Sequence, residues 1–491
     1  MQPTPRNESE RTESEARTTG WFSAVEDARI QYSVLVAVTL LAAGLRFYKL
    51  GEWSFWIDEL FFIRRSQAFS TILAMFGRFE PISILLTRLV IDNTAVTEWS
   101  ARLAPALIGI LSIPILYFPT RRMFGPRVAL IAALLLAVSP WHLTWSQNAR
   151  FYTTLMLLYA LASMAFFFAI ERGRSLYIVL FYVLLLLSFR ERPLAVVLVP
   201  VAFSYLLLLK FLPFERPKGF GRRPVIVFLF LGIGLGLLDL VGFITSGYSE
   251  IAGGLTLPYD RPVLDSWRLG TFTAFDIGIP LIALGLFGGA YSISQRSRAG
   301  TFLLVSAVVP VALLLLVNLF YFTKPRYAFV TLPSWILLGA IAIQHIVGLA
   351  RGRQKLLAAG VFVAIVADAA AANLLYFQAN HGNRLEWKQA FAIAQDRSQE
   401  GDVFVAWWPE FGPYYLGQEV TAWPELTPSM VLASHRRHWF VLDSETVWGN
   451  LAMKSWVEQN AELIDVRYLR TPDDAYLRVY FFDPRRIPSD E

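Results

Sequence analysis

Apolar positions in this chain come in long unbroken runs separated by short polar stretches. Runs lie near residues 30–47, 99–119, 128–145, 151–170, 175–189, 193–212, 225–245, 274–294, 301–321, 327–349 and 356–377, about eleven in all. A hydrocarbon core about 30 Å thick takes about 20 apolar residues per helix, so each run predicts a membrane-spanning helix. Residues 1–28 are polar, mixed in charge and lack the short apolar core of a secretory signal. They read as a disordered tail. From about Gln378 the pattern changes to short β-rich runs, Val403–Ala406, Trp439–Leu442 and Leu477–Phe482, with turn residues between them. None approaches membrane length. The predicted fold is therefore an α-helical polytopic membrane protein of about eleven transmembrane helices over residues 29–377. A small mixed α/β soluble domain over 378–491 follows.

Composition agrees with this division: 55% of residues are hydrophobic and 17% charged, against roughly 45–50% and 25% in soluble domains. The net charge of +6 does not point to nucleic acid, because its basic residues sit in alternate short loops: Arg121, Arg122 and Arg127, Arg172 and Arg174, Lys210–Arg223, Arg296 and Arg298, and Arg351–Lys355. The positive-inside rule places those loops, and the amino terminus, in the cytoplasm. An odd number of spans then puts residues 378–491 on the extracytoplasmic side of a multi-pass protein of the cell (inner) membrane. With no cysteine, disulfides and thiolate metal sites are excluded, and a count of only five histidines argues against a histidine-rich metal centre.

Charges on the outer side have no topological role and are expensive near membrane level, so they carry information about function. They fall in five places. The first outer loop, 48–97, holds Trp56, Asp58 and Glu59 among aromatics, and then Glu80. The second place is Gln147 to Tyr152, which includes Arg150. The third is Arg190-Glu191-Arg192, the fourth the 246–273 loop with Tyr259, Asp260, Arg261, Asp265 and Arg268, and the fifth Lys324-Pro325-Arg326-Tyr327. Carboxylates beside arginines at membrane depth suit chemistry on a lipid-linked phosphate. Arginine and lysine stabilise phosphate oxygens through charge-assisted hydrogen bonds, and a carboxylate shielded from water acts as a general base. The competing reading is interfacial anchoring by snorkelling arginines and helix-locking ion pairs.

Phe55-Trp56-Ile57-Asp58-Glu59 resembles the tryptophan-x-aspartate-glutamate motif of GT-C fold glycosyltransferases. That superfamily includes protein O-mannosyltransferases, aminoarabinose transferases and Rgt-type lipopolysaccharide glycosyltransferases. Ala101–Ala106, Arg121–Arg127 and Ser139–Tyr152 are similar to its next conserved stretch, Lys324–Tyr327 with Leu332-Pro333 to its late motif, and Glu386-Trp387-Lys388 with Gly401-Asp402-Val403 to the start of its soluble domain. Two departures stand out. Asn148 occupies a position where many members carry an acid, and Phe79-Glu80-Pro81-Ile82 replaces a histidine-diproline motif.

The resemblance implies transfer of a hexosyl or pentosyl group, with inversion, from a polyprenyl-phosphate sugar donor to a hydroxyl of a lipid, glycan or protein acceptor at the outer membrane face. One carboxylate then suffices, since phosphate leaves without a general acid, unlike the paired acids of glycosidases. Asp58 is the expected base, and Glu59 the neighbouring catalytic-site carboxylate, expected to orient a partner or to face away, since neighbours on a helix point about 100° apart. Arg150, Arg326 and Lys324 are expected to neutralise the phosphate, and Tyr152 and Tyr327 to hydrogen-bond the phosphate or sugar. Glu80, Gln147 and Arg192 complete the expected substrate-binding set, with Glu80 a candidate for the charge missing at Asn148. No cofactor is required with certainty; a divalent metal stays open, with His142 near the site but no metal-ligand set assigned. Membrane lipids are the surrounding partners. The rival class is a transporter or flippase of lipid-linked sugars, which would carry mid-helix charges and repeated halves, neither of them visible here.

Overall fold

The computed structural model describes residues 27–68, 80–220, 234, 266–319, 323–349, 354–444, 450–469 and 475–486. The helices of the apolar region are α1 (Ala28–Phe47), α2 (Ile57–Gln67), α3 (Pro81–Asp92), α4 (Glu98–Phe124), α5 (Pro126–Val138), α6 (Pro140–Ser146), α7 (Tyr152–Arg172), α8 (Ser175–Glu191), α9 (Leu198–Phe211), α10 (Ser266–Ile277), α11 (Ile279–Ser294), α12 (Arg298–Val317), α13 (Leu332–Leu349) and α14 (Gln354–Gln378). Short 3₁₀ turns, Pro193–Val197 and Pro325–Thr331, lead into α9 and α13.

Among the described residues, seven helical stretches are long and apolar enough to cross a membrane alone, and two more pairs qualify if each bent pair is one span. The bent pairs are α5 with α6, at 59°, and α10 with α11, at 88°. These nine match nine of the eleven predicted runs. The run at 175–189 forms α8, whose 17 residues fall just short of span length, and the run at 225–245 lies outside the described residues. Burial separates the spans by role. α7 is buried over 83% of its apolar window and forms the centre of the bundle, whereas α14 is buried over 17%. Outward side chains such as Leu40, Val183, Phe203 and Val363 are exposed, a surface that acyl chains cover at no cost.

The break between α5 and α6 has an identifiable cause. Pro140 cannot donate to the turn before it, which frees carbonyls at the end of α5. The fully buried Arg46 of α1 fills the gap, donating to the carbonyls of Ala137 (3.0 Å) and Leu136 (3.3 Å). Its guanidinium also meets His142 Nδ1, while Ser112 meets Nε2 at 3.2 Å. Gly109 of α4 is required here, because a Cβ would strike Ser146. In the other half of the bundle, a Cβ at Gly288 of α11 would strike the Leu338 carbonyl of α13.

The 48–97 stretch, expected as a loop, holds two helices among its described residues, α2 and α3, which pack beside the start of α4. The carboxyl-terminal part contains α15 (Trp387–Asp396), β1 (Val403–Ala406), α16 (Phe411–Tyr415), β2 (Thr421–Ala422), α17 (Pro428–Ala433), β3 (His438–Asp443), α18 (Leu451–Asn460), β4 (Glu462–Tyr468) and β5 (Tyr476–Phe482). Its sheet runs β2-β1-β3-β5-β4, parallel at β2-β1-β3 and antiparallel at β3-β5-β4. This is the mixed α/β unit predicted. Its core is shared with the membrane part: Phe55, Leu60, Ile63 and Ala101 pack in one cluster with Trp387, Phe391, Phe404 and Trp439.

Candidate active site

The segment before α2 and the first turn of α2 set the geometry. Trp56 is the N-cap residue, and Glu59, three residues on, accepts from the Trp56 backbone N–H at 3.3 Å. Adjacent helical residues point about 100° apart, so Asp58 and Glu59 cannot face the same way. They do not.

Glu59 is fully buried. Its Oε1 accepts from Arg102 Nε (2.9 Å) and the Ala149 backbone N–H (2.8 Å), and its Oε2 accepts from Arg102 Nη2 (2.8 Å). Arg384 approaches the same oxygen at 3.4 Å. Arg102 spends its remaining donors on the carbonyls of Leu50, Trp53 and Ser54. Burial would raise the Glu59 carboxyl, but the Arg102 and Arg384 guanidiniums outweigh it and hold the group below its ordinary range. Glu59 therefore ties together α2, α4, the 147–150 turn and the segment entering the soluble unit. It has no face toward a substrate, which corrects its placement in the catalytic pair.

Asp58 is different. Its side chain is 26% exposed, and Oδ2 is faced by Arg326 Nη2 at 3.3 Å and Arg150 Nη2 at 3.7 Å. Arg150 Nη1 also donates to the Asp58 carbonyl at 2.9 Å. Arg326 lies over the rings of Trp56 (5.2 Å) and Tyr152 (5.9 Å), with Tyr327 alongside. Trp56 is in turn fixed by its indole N–H, which donates to Asn148 Oδ1 at 3.1 Å. The site thus joins three distant pieces of chain: the α2 start, the turn between α6 and α7, and the 3₁₀ turn before α13. Lys324 caps that last turn, half-buried. The Nε groups of Arg150 and Arg326 are buried and bond to no acceptor among the described residues.

The remaining predicted residues divide. Glu80 is fully buried in a left-handed conformation, φ 66°, and pairs with Arg65 (2.8 Å) and Arg192 (3.3 Å). It does not reach toward Asn148 to replace the missing charge. Instead it holds two half-exposed guanidiniums near the cluster, and Arg192 stacks at 4.7 Å over Phe151, the ring that Arg150 also approaches. Gln147 is buried away from the site: its amide donates to the Arg46 and Tyr48 carbonyls and its Oε1 accepts from Tyr376. It anchors α1 and α14 to the turn that carries Arg150, so it too is a scaffold residue rather than a ligand for substrate. Of the fourth charged loop, Tyr259, Asp260, Arg261 and Asp265 lie outside the described residues.

Among the described residues, the donors near the site do not fit a divalent metal. The cluster's partly exposed carboxylate, Asp58, is already faced by two guanidiniums, and Asn148, at the position where an acid would serve, is engaged with Trp56. His142 has both ring nitrogens occupied by Arg46 and Ser112. Among the described residues, no three Asp, Glu or His side chains converge as a metal site.

Sequence reasoning missed Arg102, Arg384 and Arg65. Arg102 carried a signal, since an arginine in the first turn of a span on the side away from the basic loops has no topological use. Arg384 and Arg65 carried none beyond their charge.

Residues 81–231 match the model of the dolichyl-phosphate-mannose-protein mannosyltransferase family. No curated protein matches the chain. Among solved structures, ArnT from Cupriavidus metallidurans in its apo state is similar at a TM-score of 0.56 and 15% identity, covering 94% of this chain and 98% of that one. The same protein bound to undecaprenyl phosphate gives 0.51 at 14% identity, with the same coverage. The oligosaccharyltransferase of Archaeoglobus fulgidus, in complex with Zn and sulfate, gives 0.53 at 15% identity, covering 93% of this chain and 74% of that one. The chain is a multi-pass membrane protein with the GT-C fold of membrane glycosyltransferases.

Proposed function

We propose that the protein is an inverting glycosyltransferase that moves a sugar from a polyprenyl-phosphate donor to an acceptor hydroxyl, with Asp58 as general base. The observation that carries this reading is the Asp58–Arg150–Arg326 cluster: one partly exposed carboxylate beside two guanidiniums whose Nε donors are buried and unmet among the described residues. A buried donor without an acceptor is costly, and phosphate oxygens satisfy guanidinium donors with charge-assisted bonds. Support also comes from the ArnT neighbour, which has been crystallised with undecaprenyl phosphate.

The donor phosphate binds at Arg150 and Arg326, with Lys324 and Tyr327 adding positive charge and a hydrogen-bond donor. Phosphate binding draws the guanidiniums off Asp58 Oδ2, which leaves that oxygen free to accept a proton. The acceptor oxygen attacks the anomeric carbon while its proton passes to Asp58. The bond between that carbon and the phosphate oxygen breaks, and its electron pair leaves with the phosphate. Charge then grows on the phosphate oxygens, where fixed guanidiniums lower the barrier without reorganising. Trp56, held by Asn148, keeps Arg326 in place.

The site lies at the opposite ends of α4 and α7 from Arg122 and Arg172. By the positive-inside rule, those arginines and the amino terminus face the cytoplasm, and the site and residues 378–491 face outward. Reconstituted in vesicles with a polyprenyl-phosphate sugar and a hydroxyl acceptor, the protein should form a glycoside of inverted anomeric configuration, read by NMR. Retention of configuration would refute the single-base reading. Release of free sugar alone, or donor translocation without transfer, would refute transferase function.

A further inference from the structure

At the far end of the bundle from Asp58 lies a cavity of about 440 Å³ to which no role has been given. It is bounded by the ends of α4 and α7 and the start of α12. α7 has 21 residues and begins at the candidate active site with Tyr152. At about 1.5 Å per residue it spans about 30 Å, so cavity and site are separated by the thickness of a bilayer core.

The cavity wall carries Arg122, Arg172, Arg296 and Arg298 against one acid, Glu171. Arg298 is committed: Nε and Nη2 bind the two Glu171 oxygens at 2.7 and 2.8 Å, and Nη1 donates to the Glu215 carbonyl. Arg172 is held in place over Phe168 and Tyr177 and donates to the Tyr177 hydroxyl at 3.2 Å. Arg122 and Arg296 are exposed, with no acidic partner among the described residues. Arg296 also adopts φ 52°, a left-handed conformation that non-glycine residues take at a cost. Beside these charges, Phe167 and Met123 supply an apolar wall.

We propose that this cavity binds the phosphate headgroup of an anionic phospholipid on the membrane face opposite the active site. Three uncompensated positive charges suit a phosphate, and concavity distinguishes the cavity from a merely basic loop. The adjoining apolar wall and position at the bilayer edge favour a lipid over a soluble anion. This inference rests on the fold and not on the glycosyltransferase reading.

Its test is lipid retention by the purified full chain, measured by native mass spectrometry with dioleoylphosphatidylglycerol against dioleoylphosphatidylcholine. The wild type should retain the anionic lipid preferentially. The pair Arg122→Gln with Arg296→Asn should weaken that retention about tenfold or more, from the loss of two charges near a lipid surface. Asparagine tolerates the left-handed conformation, so Arg296→Asn alone reports the same loss, in smaller measure, if the pair folds poorly. Arg174→Gln, exposed but outside the cavity, should leave retention unchanged. Equal retention in wild type and Arg296→Asn, or an equal loss in Arg174→Gln, would overturn the proposal. Inorganic phosphate displacing the lipid at millimolar concentration would make the cavity a soluble-anion site and overturn the lipid assignment.

Discussion

Two carboxylates adjacent in sequence should fail in opposite ways when neutralised, and Glu59→Gln is the sharper case. The substitution keeps the side chain's size but removes the charge facing Arg102, which is fully buried, and Arg384, which is nearly so. Arg102 and the Ala149 N–H retain a carbonyl acceptor, yet one carboxylate oxygen becomes an amide N–H₂ pointed at donors. Breaking a buried pair in this way costs about 3–5 kcal/mol. With an unfolding entropy of about 2 cal/mol/K per residue, a 491-residue chain shifts by about 1 °C per kcal/mol. The thermal midpoint in detergent should therefore fall by about 3–5 °C, with a matching loss of folded yield. The pH dependence follows from the direction of the Glu59 shift. A carboxyl held below its ordinary range contributes stability above its unfolded value, about 4.3, and loses it as pH falls through the lower folded value. The gap between wild type and Glu59→Gln should be full at pH 7 and narrow on acidification below about pH 4. Adding Arg102→Gln should recover part of the loss, because the single variant strands a buried cation. A Glu59→Gln protein with wild-type midpoint and abolished turnover would refute this reasoning and return Glu59 to the chemistry.

Alanine at Arg150 or Arg326 should weaken polyprenyl-phosphate binding by roughly tenfold to a hundredfold, the loss of one charged hydrogen bond, while acceptor affinity changes little; unchanged donor affinity in both would make them interfacial anchors. Side-specific reporters fused to the carboxyl terminus and to the Lys210–Arg223 loop should report opposite faces of the membrane, and agreement between them would sink the topology. Gly288→Ala should lower the thermal midpoint through forced separation of α11 and α13, in the range of about 1–3 kcal/mol typical of overpacking; a neutral result would mean the two helices can part at that point.

Span positions were legible in the sequence because membrane burial writes a long, uniform signal, and the mixed α/β unit because its strands are short β-rich runs, far below membrane length, set off by turn residues. Asp58, Arg150 and Arg326 were legible as charges without topological use on one side of the bilayer. What stayed hidden was the direction of each side chain. Nothing in the dipeptide Asp58-Glu59 says which carboxylate meets solvent until the Trp56 cap and Arg102 fix the rotation of α2. Gln147 sits in the same motif as Arg150 but turns inward, because the break at Pro140 and the turn after α6 present alternate residues to opposite sides. The 48–97 region hid its helices for a different reason: α2 is short and carries Asp58, Glu59, Arg64 and Arg65, so its apolar face is too interrupted to read as periodic.

The central claim is that Asp58 takes the acceptor's proton. In Asp58→Asn the side chain keeps its size and can still accept from Arg326, so expression, thermal midpoint and donor binding should stay close to wild type. The measurement is single-turnover transfer by the purified, reconstituted variant at saturating donor. The account predicts a rate lowered by about 10²-fold or more, the contribution expected of a general base. Transfer at close to the wild-type rate would contradict it.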